Sequence, residues 1–330
     1  MKQALVLLFL IFSISCNTNN NDKHLTKESI KIVIAHRGAS GYLPEHTLEA
    51  KAMAYAMGAD YLEQDLVLSK DNIPIVIHDI HLETVTNVAE KYSERAREDG
   101  KFYVIDFTFE ELKTLSIFER FNPETGKTVF SNRFPLKKSS FKLHSLSDEI
   151  EMIQGLNKST GQNIGIYPEI KNPGFHKEEG KDISKIVIEI LENYGYTDKK
   201  HKCFVQCFDI EETKRIRIEL KSNLNLIQLL DDDYSDNNFE EIAEYADGIG
   251  PWFGTIIKGR DTNGEFIISN LVINAHKQGL LVHPFTFRAD AFPEYFENFD
   301  ELLEVGFFTA NFDGVFTDFP DKVVNFLNNR

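Results

Sequence analysis

The sequence predicts an α/β fold, namely a (β/α)8 TIM barrel with a small insertion subdomain at the C-terminal face of the barrel. Short apolar runs alternate with amphipathic segments along most of the 330 residues, and this alternation is typical of a parallel sheet with helical crossovers. About eight strand signals occur without a Gly-x-Gly-x-x-Gly fingerprint. A closed barrel is therefore favoured over a doubly wound sheet.

The predicted strands are short, and helical segments separate most of them. After Ile183, apolar residues recur on one helical face, which predicts an amphipathic helix. The predicted strands lie in IKIVIAH, DYLEQDLVL, IPIVIHD, NIGIYPEIK, CFVQCFD, LNLIQLL, DGIGPWF, LLVHPFTFR and DGVFTDF. The predicted helices span 48–57, 183–194, 211–220, 239–245, 271–277 and 295–303.

Residues 80–146 interrupt this alternation. The interval is far longer than the ~2 to 6 residues of an ordinary βα loop, and it contains apolar pieces of its own, FYVIDF and LKTLSIF. We expect it to form a small subdomain over the barrel mouth, with the barrel spanning 31–330.

The N-terminus is typical of an exported protein. Residues 1–15 combine a positive start with an apolar run too short for a comfortable membrane span, as in a signal peptide. The small residues before Cys16 resemble a bacterial lipobox, so we expect lipidation of Cys16 and a lipidated, flexible tether at 16–30. The alternative is a plain secretory signal followed by a chance cysteine.

Charge and cysteine content exclude some partners. The formal net charge of −16 argues against binding to nucleic acid, which depends on basic patches. Cys203 and Cys207 would lie ~13 Å apart on one strand, too far for a disulfide, so we expect two core thiols. Membrane contact is expected only through the N-terminal lipid, and a homodimer is an oligomeric state that the sequence leaves open.

Three carboxylates are candidate metal ligands. Glu63 and Asp65 are one residue apart on a predicted strand and therefore share a face, and Glu169 follows a second apolar run. Converging carboxylates require either a shared proton or a cation, and an all-oxygen set suits Ca²⁺ or Mg²⁺ better than zinc. A Glu-x-Asp pair alone favours a solvated strand, but the third carboxylate and two histidines at similar strand ends reverse that preference.

Two histidines and two cations complete the predicted chemistry. His36 and His78 each follow an apolar run, and the carboxyl ends of barrel strands meet on the face where such folds have their active sites. A histidine pair can take one proton and give another. Arg37 and Lys171 would supply positive charge for a phosphoryl group.

Seven segments in this order resemble the glycerophosphodiester phosphodiesterase family, most closely its periplasmic bacterial branch. They are AHRGASGYLPEHT, YLEQDLVLSKD, IPIVIHD, NIGIYPEIK, QCFD, YADGIGP and FTDFPD. The resemblance runs from about Lys31 to the C-terminus. The HRG…PEHT and EQD…HD blocks are specific to the family, whereas QCFD and FTDFPD are weaker alone.

The resemblance implies a barrel with a divalent metal on Glu63, Asp65 and Glu169, for which we expect Ca²⁺ ahead of Mg²⁺. It also implies that His36 and His78 are the acid/base pair, that Arg37 contacts phosphate, and that Glu45 orients side chains at the substrate site. Many members read Pro-Glu-Asn-Thr where this chain has His46. We therefore leave His46 outside the catalytic set, and we expect a periplasmic location.

The function implied by these residues is metal-dependent hydrolysis of glycerophosphodiesters to sn-glycerol 3-phosphate and an alcohol, in the catabolism of glycerol and phospholipid head groups. The order in which the two histidines act remains open, as does the choice between a cyclic phosphate and direct attack by water. The alternatives are a hydrolase of glycerophosphate polymers or phospholipids, and a surface binding protein that retains the site.

Further residues near strand ends are candidates for the substrate pocket. Gln206 and Phe285 are predicted to bind substrate, and His283 and Trp252 are weaker candidates. Phe175 lies in the loop after Glu169. For each aromatic residue, packing in the core or the wall is the alternative.

Overall fold

The computed structural model describes residues 31–231 and 239–330. The predicted signal peptide, the tether and Cys16 lie outside the described residues. The strands are β1 (Ile32–Ala35), β2 (Tyr61–Leu68), β3 (Pro74–Val76), β4 (Phe121–Asn122), β5 (Lys127–Thr128), β6 (Gly165–Ile170), β7 (Phe204–Cys207), β8 (Asn225–Leu229), β9 (Gly248–Gly250), β10 (Ile257–Arg260), β11 (Phe266–Ile268), β12 (Leu281–Val282) and β13 (Gly314–Thr317). The helices are α1 (Leu48–Ala56), α2 (Val88–Lys91), α3 (Phe109–Lys113), α4 (Leu146–Thr160), α5 (Pro173–Glu178), α6 (Ile183–Asn193), α7 (Ile210–Ile218), α8 (Phe239–Ala243), α9 (Leu271–Lys277), α10 (Phe299–Glu304) and α11 (Pro320–Asn328).

Eight strands of the described chain are parallel and follow the order β12-β9-β8-β7-β6-β2-β1-β13. Backbone hydrogen bonds link the two ends of this order: Asp313 N donates to Val282 O at 3.1 Å, and Phe287 N donates to Phe316 O at 2.8 Å. The sheet is thus a nearly closed barrel, and the predicted fold class is confirmed.

A small apolar cluster fills the barrel interior. Its buried members come from six different barrel strands, as expected for side chains that meet at a common axis; they are Ile34, Tyr61, Tyr167, Phe204, Ile227 and Phe316. Tyr167 is fully buried and stacks on Phe204 at 4.9 Å between ring centroids. Two larger clusters of apolar residues lie between strands and helices. The barrel is therefore a packed core rather than a channel.

The segment 80–146 includes α2, α3 and the hairpin of β4 and β5. The buried residues of this segment, among them Phe107 and Leu112, form one apolar cluster, which also includes Val67 of β2. The chain leaves and re-enters the barrel at adjacent points, because Val76 N donates to His144 O at 3.1 Å. We call residues 80–146 the insertion.

One predicted barrel strand lies outside the order of parallel strands. The run IPIVI was expected among the parallel strands, but β3 is antiparallel to β2 and lies off the barrel order. The reason is the short connection between β2 and β3, because a tight turn returns the chain beside the strand it has just left, whereas a parallel neighbour requires a long crossover.

The predicted helix 295–303 is also wrong at its start. Helix α10 begins only at Phe299, because the Asn298 side chain accepts a hydrogen bond from Glu301 N and caps the helix there.

Cys203 and Cys207 are free and buried. In the part of the chain that the structure describes, none of the helices has the length and apolar character needed to span a membrane.

Candidate active site

The candidate site forms a polar layer directly above the apolar cluster of the barrel interior. Side chains two residues apart on a strand face the same way, so the residue two positions after each interior residue lies at the mouth. The pairs are Ile34 with His36, Tyr61 with Glu63, Tyr167 with Glu169, Phe204 with Gln206 and Phe316 with Asp318. One strand periodicity therefore explains how residues distant in sequence reach one site.

The three predicted carboxylates come together. Asp65 is in register with Glu169, and Glu169 with Gln206, across three neighbouring strands. One oxygen from each of Glu63, Asp65 and Glu169 lies within 4.8 Å of the others, and all three residues are buried. We call these three residues the carboxylate cluster.

The electrostatics of the carboxylate cluster fit a cation. Burial, with the charges of Asp65 and Glu169, raises the pKa of Glu63 well above its usual range. Burial also raises the pKa of Glu169. For Asp65, burial acts in the same direction, but Lys171 and the neighbouring histidines outweigh it and lower the pKa. The buried Oδ1 of Asp65 has no hydrogen-bond partner among the described residues and lies 3.9 Å from Lys171 Nζ. A hard cation would use this oxygen.

A left-handed turn after β1 brings Arg37 to the cluster. Arg37 and Gly38 have φ values of 59° and 87°, and the turn directs Arg37 N to Glu63 Oε2 at 2.7 Å. A Cβ atom at Gly38 would lie 2.8 Å from the carbonyl carbon of Ala50, so the turn requires glycine. The Arg37 side chain then pairs with Glu45 at 3.0 Å.

Two more side chains orient the cluster. His46 Nε2 lies 2.7 Å from Asp65 Oδ2, and Lys171 Nζ donates to Glu169 Oε1 at 2.6 Å. His46, which the sequence argument left outside the catalytic set, thus contacts a predicted metal ligand. Its side chain fixes the direction of the Asp65 carboxylate.

Behind β2, on its helix-facing side, lies a buried ion pair. Lys51 of α1 and Glu149 of α4 are both fully buried and pair at 3.0 Å. Lys51 Nζ also donates to the backbone carbonyl of Glu63, and Gln64 Nε2 donates to Glu149 at 2.7 Å. These contacts hold β2 at the residues that bear the carboxylates.

His36 is bound to an aspartate at the end of the last barrel strand. His36 Nδ1 lies 2.6 Å from Asp318 Oδ1. The other Asp318 oxygen accepts from Arg133 of the insertion at 2.7 Å and from Arg288 at 2.9 Å. Despite its burial, the charge and hydrogen bond of His36 and the two arginines hold the pKa of Asp318 below its usual range. An ionised carboxylate only accepts, so His36 donates from Nδ1. Its Nε2 lies 3.9 Å from Glu63 Oε2 and makes no hydrogen bond to the described residues.

His78 has a matching arrangement. His78 Nδ1 lies 2.5 Å from Asp79 Oδ1, and Asp79 Oδ2 accepts from Arg120 at 2.6 Å and from Thr84 at 2.8 Å. Arg120 also forms two hydrogen bonds to Glu45, at 2.6 and 2.9 Å.

His78 reaches the mouth by an unexpected route. The sequence argument placed it at the end of a parallel strand, whereas β3 brings it back along β2 to the level of Asp65, whose carbonyl accepts from Ile77 N at 2.9 Å. Burial, reinforced by Arg37, lowers the pKa of His36 to about 4, and burial with Arg37 and Lys171 does the same for His78.

Two cavities meet at these histidines. The first, of about 310 Å³, is lined by the carboxylate cluster and by most of the predicted site residues, namely His36, Arg37, His78, Lys171, Gln206, Trp252 and Phe285. We call it the carboxylate cavity. The second, of about 290 Å³, is lined by Glu45 and by insertion residues that include Arg120, Val129, Phe130 and Arg133. We call it the insertion cavity.

Two weaker sequence candidates do not line either cavity. His283 is buried in the barrel interior, where its Nδ1 lies 2.9 Å from the Tyr167 hydroxyl. Phe175 stacks on Tyr103 of the insertion. Both have the packing role that was the alternative.

The sequence argument missed four residues of the site: Arg120, Arg133, Arg288 and Asp318. Asp318 ends the apolar run GVFT, so the rule that found His36 would have found it. The insertion arginines have no such signal.

The fold and the site together define an α/β-barrel enzyme with a carboxylate cluster and two aspartate-bound histidines at its mouth.

Comparison with known proteins identifies the family. A family model described as the glycerophosphoryl diester phosphodiesterase family matches residues 36–322. The chain therefore belongs to this family, and the predicted resemblance is confirmed.

Relatives of this family match nearly the whole chain. A glycerophosphodiester phosphodiesterase of Haemophilus influenzae is 42% identical over 98% of this chain and 97% of the relative. One of Treponema pallidum is 40% identical over 91% of this chain and 92% of the relative. A solved phosphodiesterase structure from Oleispira antarctica, in complex with the product sn-glycerol-3-phosphate, matches with a TM-score of 0.62 at 20% identity and covers 91% of this chain and 97% of that one.

Proposed function

We propose that this protein hydrolyses glycerophosphodiesters to sn-glycerol 3-phosphate and a free alcohol, a step in the breakdown of phospholipid head groups. The observation that supports this most is that the carboxylate cluster lies at one mouth with two histidines, each of which has its Nδ1 on an aspartate. Arg37 and Lys171 lie beside them. The two relatives of 42% and 40% identity are named glycerophosphodiester phosphodiesterases, which supports the same substrate class.

Glu63, Asp65 and Glu169 would hold a divalent cation, with Ca²⁺ favoured over Mg²⁺. Ca²⁺ accepts irregular arrangements of oxygen ligands, whereas Mg²⁺ demands near-ideal octahedral geometry. A cation held there would supply positive charge to a phosphoryl oxygen and to the attacking hydroxyl.

The side chains of this protein would perform the proton transfers. One histidine accepts the proton of the attacking O–H group on its Nε2 while the new O–P bond forms. The bond from phosphorus to the alcohol oxygen breaks, and that oxygen takes a proton from the Nε2–H of the other histidine. The negative charge of the bound diester raises the pKa of the histidine beside it and so favours the protonated partner.

Arg37 would grip the phosphate. Its backbone and its guanidinium are fixed by Glu63 and Glu45, so little side-chain entropy is lost when a phosphate oxygen binds. Lys171, directly after β6, adds further positive charge. Trp252, Phe285 and Gln206 would form the wall against the glycerol carbons.

Phosphorus NMR of the purified protein with glycerophosphocholine tests this function. We expect sn-glycerol 3-phosphate to appear, to stop appearing with excess chelator, and to return with Ca²⁺. His36→Ala and His78→Ala should each lower kcat by at least ~10²-fold. Turnover that persists in chelator would contradict the metal, and near-normal rates in both variants would contradict the histidine pair.

We further propose that the chain is exported to the periplasm and anchored by a lipid on Cys16. The support is the sequence of residues 1–16 alone. Metabolic labelling with a radioactive fatty acid should mark the wild-type protein but not Cys16→Ser, and equal labelling of both would contradict the anchor.

A further inference from the structure

The carboxylate cavity and the insertion cavity share a small set of residues. Both are lined by His36, Arg37, His78 and Arg288. These are the two histidines proposed as acid and base and two cations suited to a phosphate. The two cavities therefore meet where the reacting phosphorus would lie.

A phosphodiester has two alcohol arms, and in an in-line displacement the attacking and leaving oxygens lie on opposite sides of the phosphorus. We propose that the insertion cavity binds the alcohol that leaves, and that Val129, Phe130 and Arg288 select it. This inference rests on the function proposed above. The glycerol arm and the attacking oxygen then occupy the carboxylate cavity.

The border residues agree with this assignment. Each histidine lines both cavities, so one Nε2 can serve the attacking oxygen on one side and the other Nε2 the leaving oxygen on the other. The carboxylate cluster lines only the first cavity. A cation held by this cluster would therefore supply its positive charge on the side of attack.

The chemistry of the insertion cavity indicates the kind of alcohol. Its six charged lining residues are four arginines and two acids, namely Arg37, Arg120, Arg133, Arg288, Glu45 and Asp318. Arg120 and Arg133 also pair with Asp79 and Asp290 outside the wall. Arg288 differs from them, because within the described residues its guanidinium makes a hydrogen bond only from Nε, to Asp318.

The two terminal amino groups of Arg288 are thus available to an alcohol that has hydroxyl or carboxylate oxygens. The aromatic ring of the cavity is not available to a cation, since the guanidinium carbon of Arg133 lies 3.6 Å from the Phe130 ring centroid. Choline-type head groups bind proteins chiefly through such free aromatic faces. We therefore expect the cavity to prefer a polyol or a carboxylate-bearing alcohol over a quaternary ammonium.

The size of the cavity sets a second limit. At about 290 Å³ it lies at the lower end of the ~300–1,000 Å³ of small-molecule pockets. A glycerol or serine arm fits this range better than a long acyl chain.

The test uses three diesters that share the glycerol arm and differ in the alcohol: the methyl, glycerol and choline esters of sn-glycerol 3-phosphate. With wild-type protein we expect kcat/KM for the glycerol ester to exceed that for the choline ester by about 10-fold, equivalent to ~1.4 kcal/mol. Arg288→Gln should bring this ratio close to one. Because the ratio compares substrates on one variant, a general loss through Asp318 cancels.

A filling variant with a matched control tests the location. Val129, which is 55% exposed, can be changed to Trp without burying the new ring in the core. We expect Val129→Trp to lower kcat/KM for the glycerol ester about 10-fold more than for the methyl ester. Trp252→Ala, in the wall of the carboxylate cavity, should lower both by the same factor because both esters share the glycerol arm.

Equal losses for all esters in Val129→Trp, or a changed ratio in Trp252→Ala, would overturn the assignment. Absence of turnover of every ester by the wild type would instead refute the proposed hydrolysis. In that case, binding measurements test whether the insertion cavity holds the alcohol. Val129→Trp should weaken binding of the glycerol ester but not of sn-glycerol 3-phosphate, which lacks the second arm. Equal weakening of both would again overturn it.

Discussion

His36 and His78 make the same contact to an aspartate, but the two aspartates belong to different parts of the molecule. Asp318 follows a barrel strand and is 1% exposed. Asp79 directly precedes the insertion, with its side chain 21% exposed, and the His78 side chain is 32% exposed. An arginine of the insertion contacts each aspartate, but only Asp318 is also buried at the end of a barrel strand, so His36 is held in the more closely packed surroundings.

The barrel side and the insertion side of the mouth also differ in how deeply their residues are buried. Residues of the barrel side, including the carboxylate cluster and the buried Lys51–Glu149 pair, lie in well-packed core and have few alternative positions. On the insertion side, the ion pairs of Arg97 to Asp106 and Glu179 have side chains about one-third exposed to water. Under the functions proposed above, the barrel would hold the carboxylates in place, and the insertion would add Val129 and Phe130 to the wall facing the alcohol.

The largest expected effect compares the two aspartates directly. Asp318→Asn should lower kcat by about 10³-fold, because an amide at this site no longer fixes the proton on His36 Nδ1. Asp79→Asn should lower it by about 10²-fold, since water can replace part of the lost contact at the more exposed site. Steady-state kinetics with glycerophosphoglycerol measures both.

Thermal unfolding should accompany these assays, because Asp318→Asn also leaves Arg133 and Arg288 without their carboxylate. A larger loss in Asp79→Asn than in Asp318→Asn would reverse the comparison. Near-wild-type kcat in both would remove the role assigned to the aspartates.

The next effect concerns stability on the two sides. Lys51→Met should lower the free energy of unfolding by about 3 kcal/mol, because it leaves the buried Glu149 without its cation. The matched control is Arg97→Gln, which breaks the ion pairs of Arg97 to Asp106 and Glu179, whose side chains are about one-third exposed. That change should cost less than ~1 kcal/mol. Urea unfolding of both variants measures the difference, and equal losses would contradict it.

The Lys51→Met deficit should also depend on pH. Burial alone would raise the pKa of Glu149. The charge of Lys51 and the hydrogen bonds from His144 and Gln64 outweigh burial and lower this pKa to about 2, from an ordinary 4.5. A lowered acid pKa stabilises the fold above the ordinary value, and this contribution is lost as pH falls toward the folded value. The difference between wild type and Lys51→Met should therefore be largest above about pH 4.5 and should narrow toward pH 2. A difference that widens with acid would contradict the assignment to this pair.

The smallest effect separates the two insertion arginines. Arg120→Gln should lower kcat about 10-fold, because Arg120 joins Asp79 to Glu45 and so links His78 to Arg37. Arg133→Gln should lower it only about 3-fold, since Asp318 keeps its hydrogen bond from Arg288. Lysine at position 120 should restore part of kcat through its charge, although it cannot form the two-pronged contact. Equal losses in the two glutamine variants would mean that Arg288 does not compensate.

Much of the site could be predicted from the sequence because it depends on strand periodicity. Apolar runs that end in a polar residue gave His36 and Glu169, and the Glu-x-Asp spacing gave two carboxylates on one face. The same reasoning extended by two residues from each interior position would also have given Asp318. The family itself followed from the motifs, and its model matches the chain.

The rest depends on contacts that no local pattern encodes. Arg120 and Arg133 lie in a segment with little regular structure and reach partners as far as 185 residues away. The return of β3 beside β2 brought His78 to the mouth by a hairpin rather than by a barrel strand. Such placements follow from tertiary packing, and a sequence without its fold does not reveal them.

The two ends of the insertion are joined by backbone contacts, with Ile75 bridged to Ser145 and Val76 N bound to His144 O. A segment that starts and finishes at one point can change in length or content while the register of the eight parallel strands stays the same. Grafting the corresponding segment of a relative onto this barrel would then replace Val129 and Phe130 together, while Arg288 stays in place on the barrel. Such a graft would separate what the insertion contributes to the proposed choice of alcohol from what the barrel contributes.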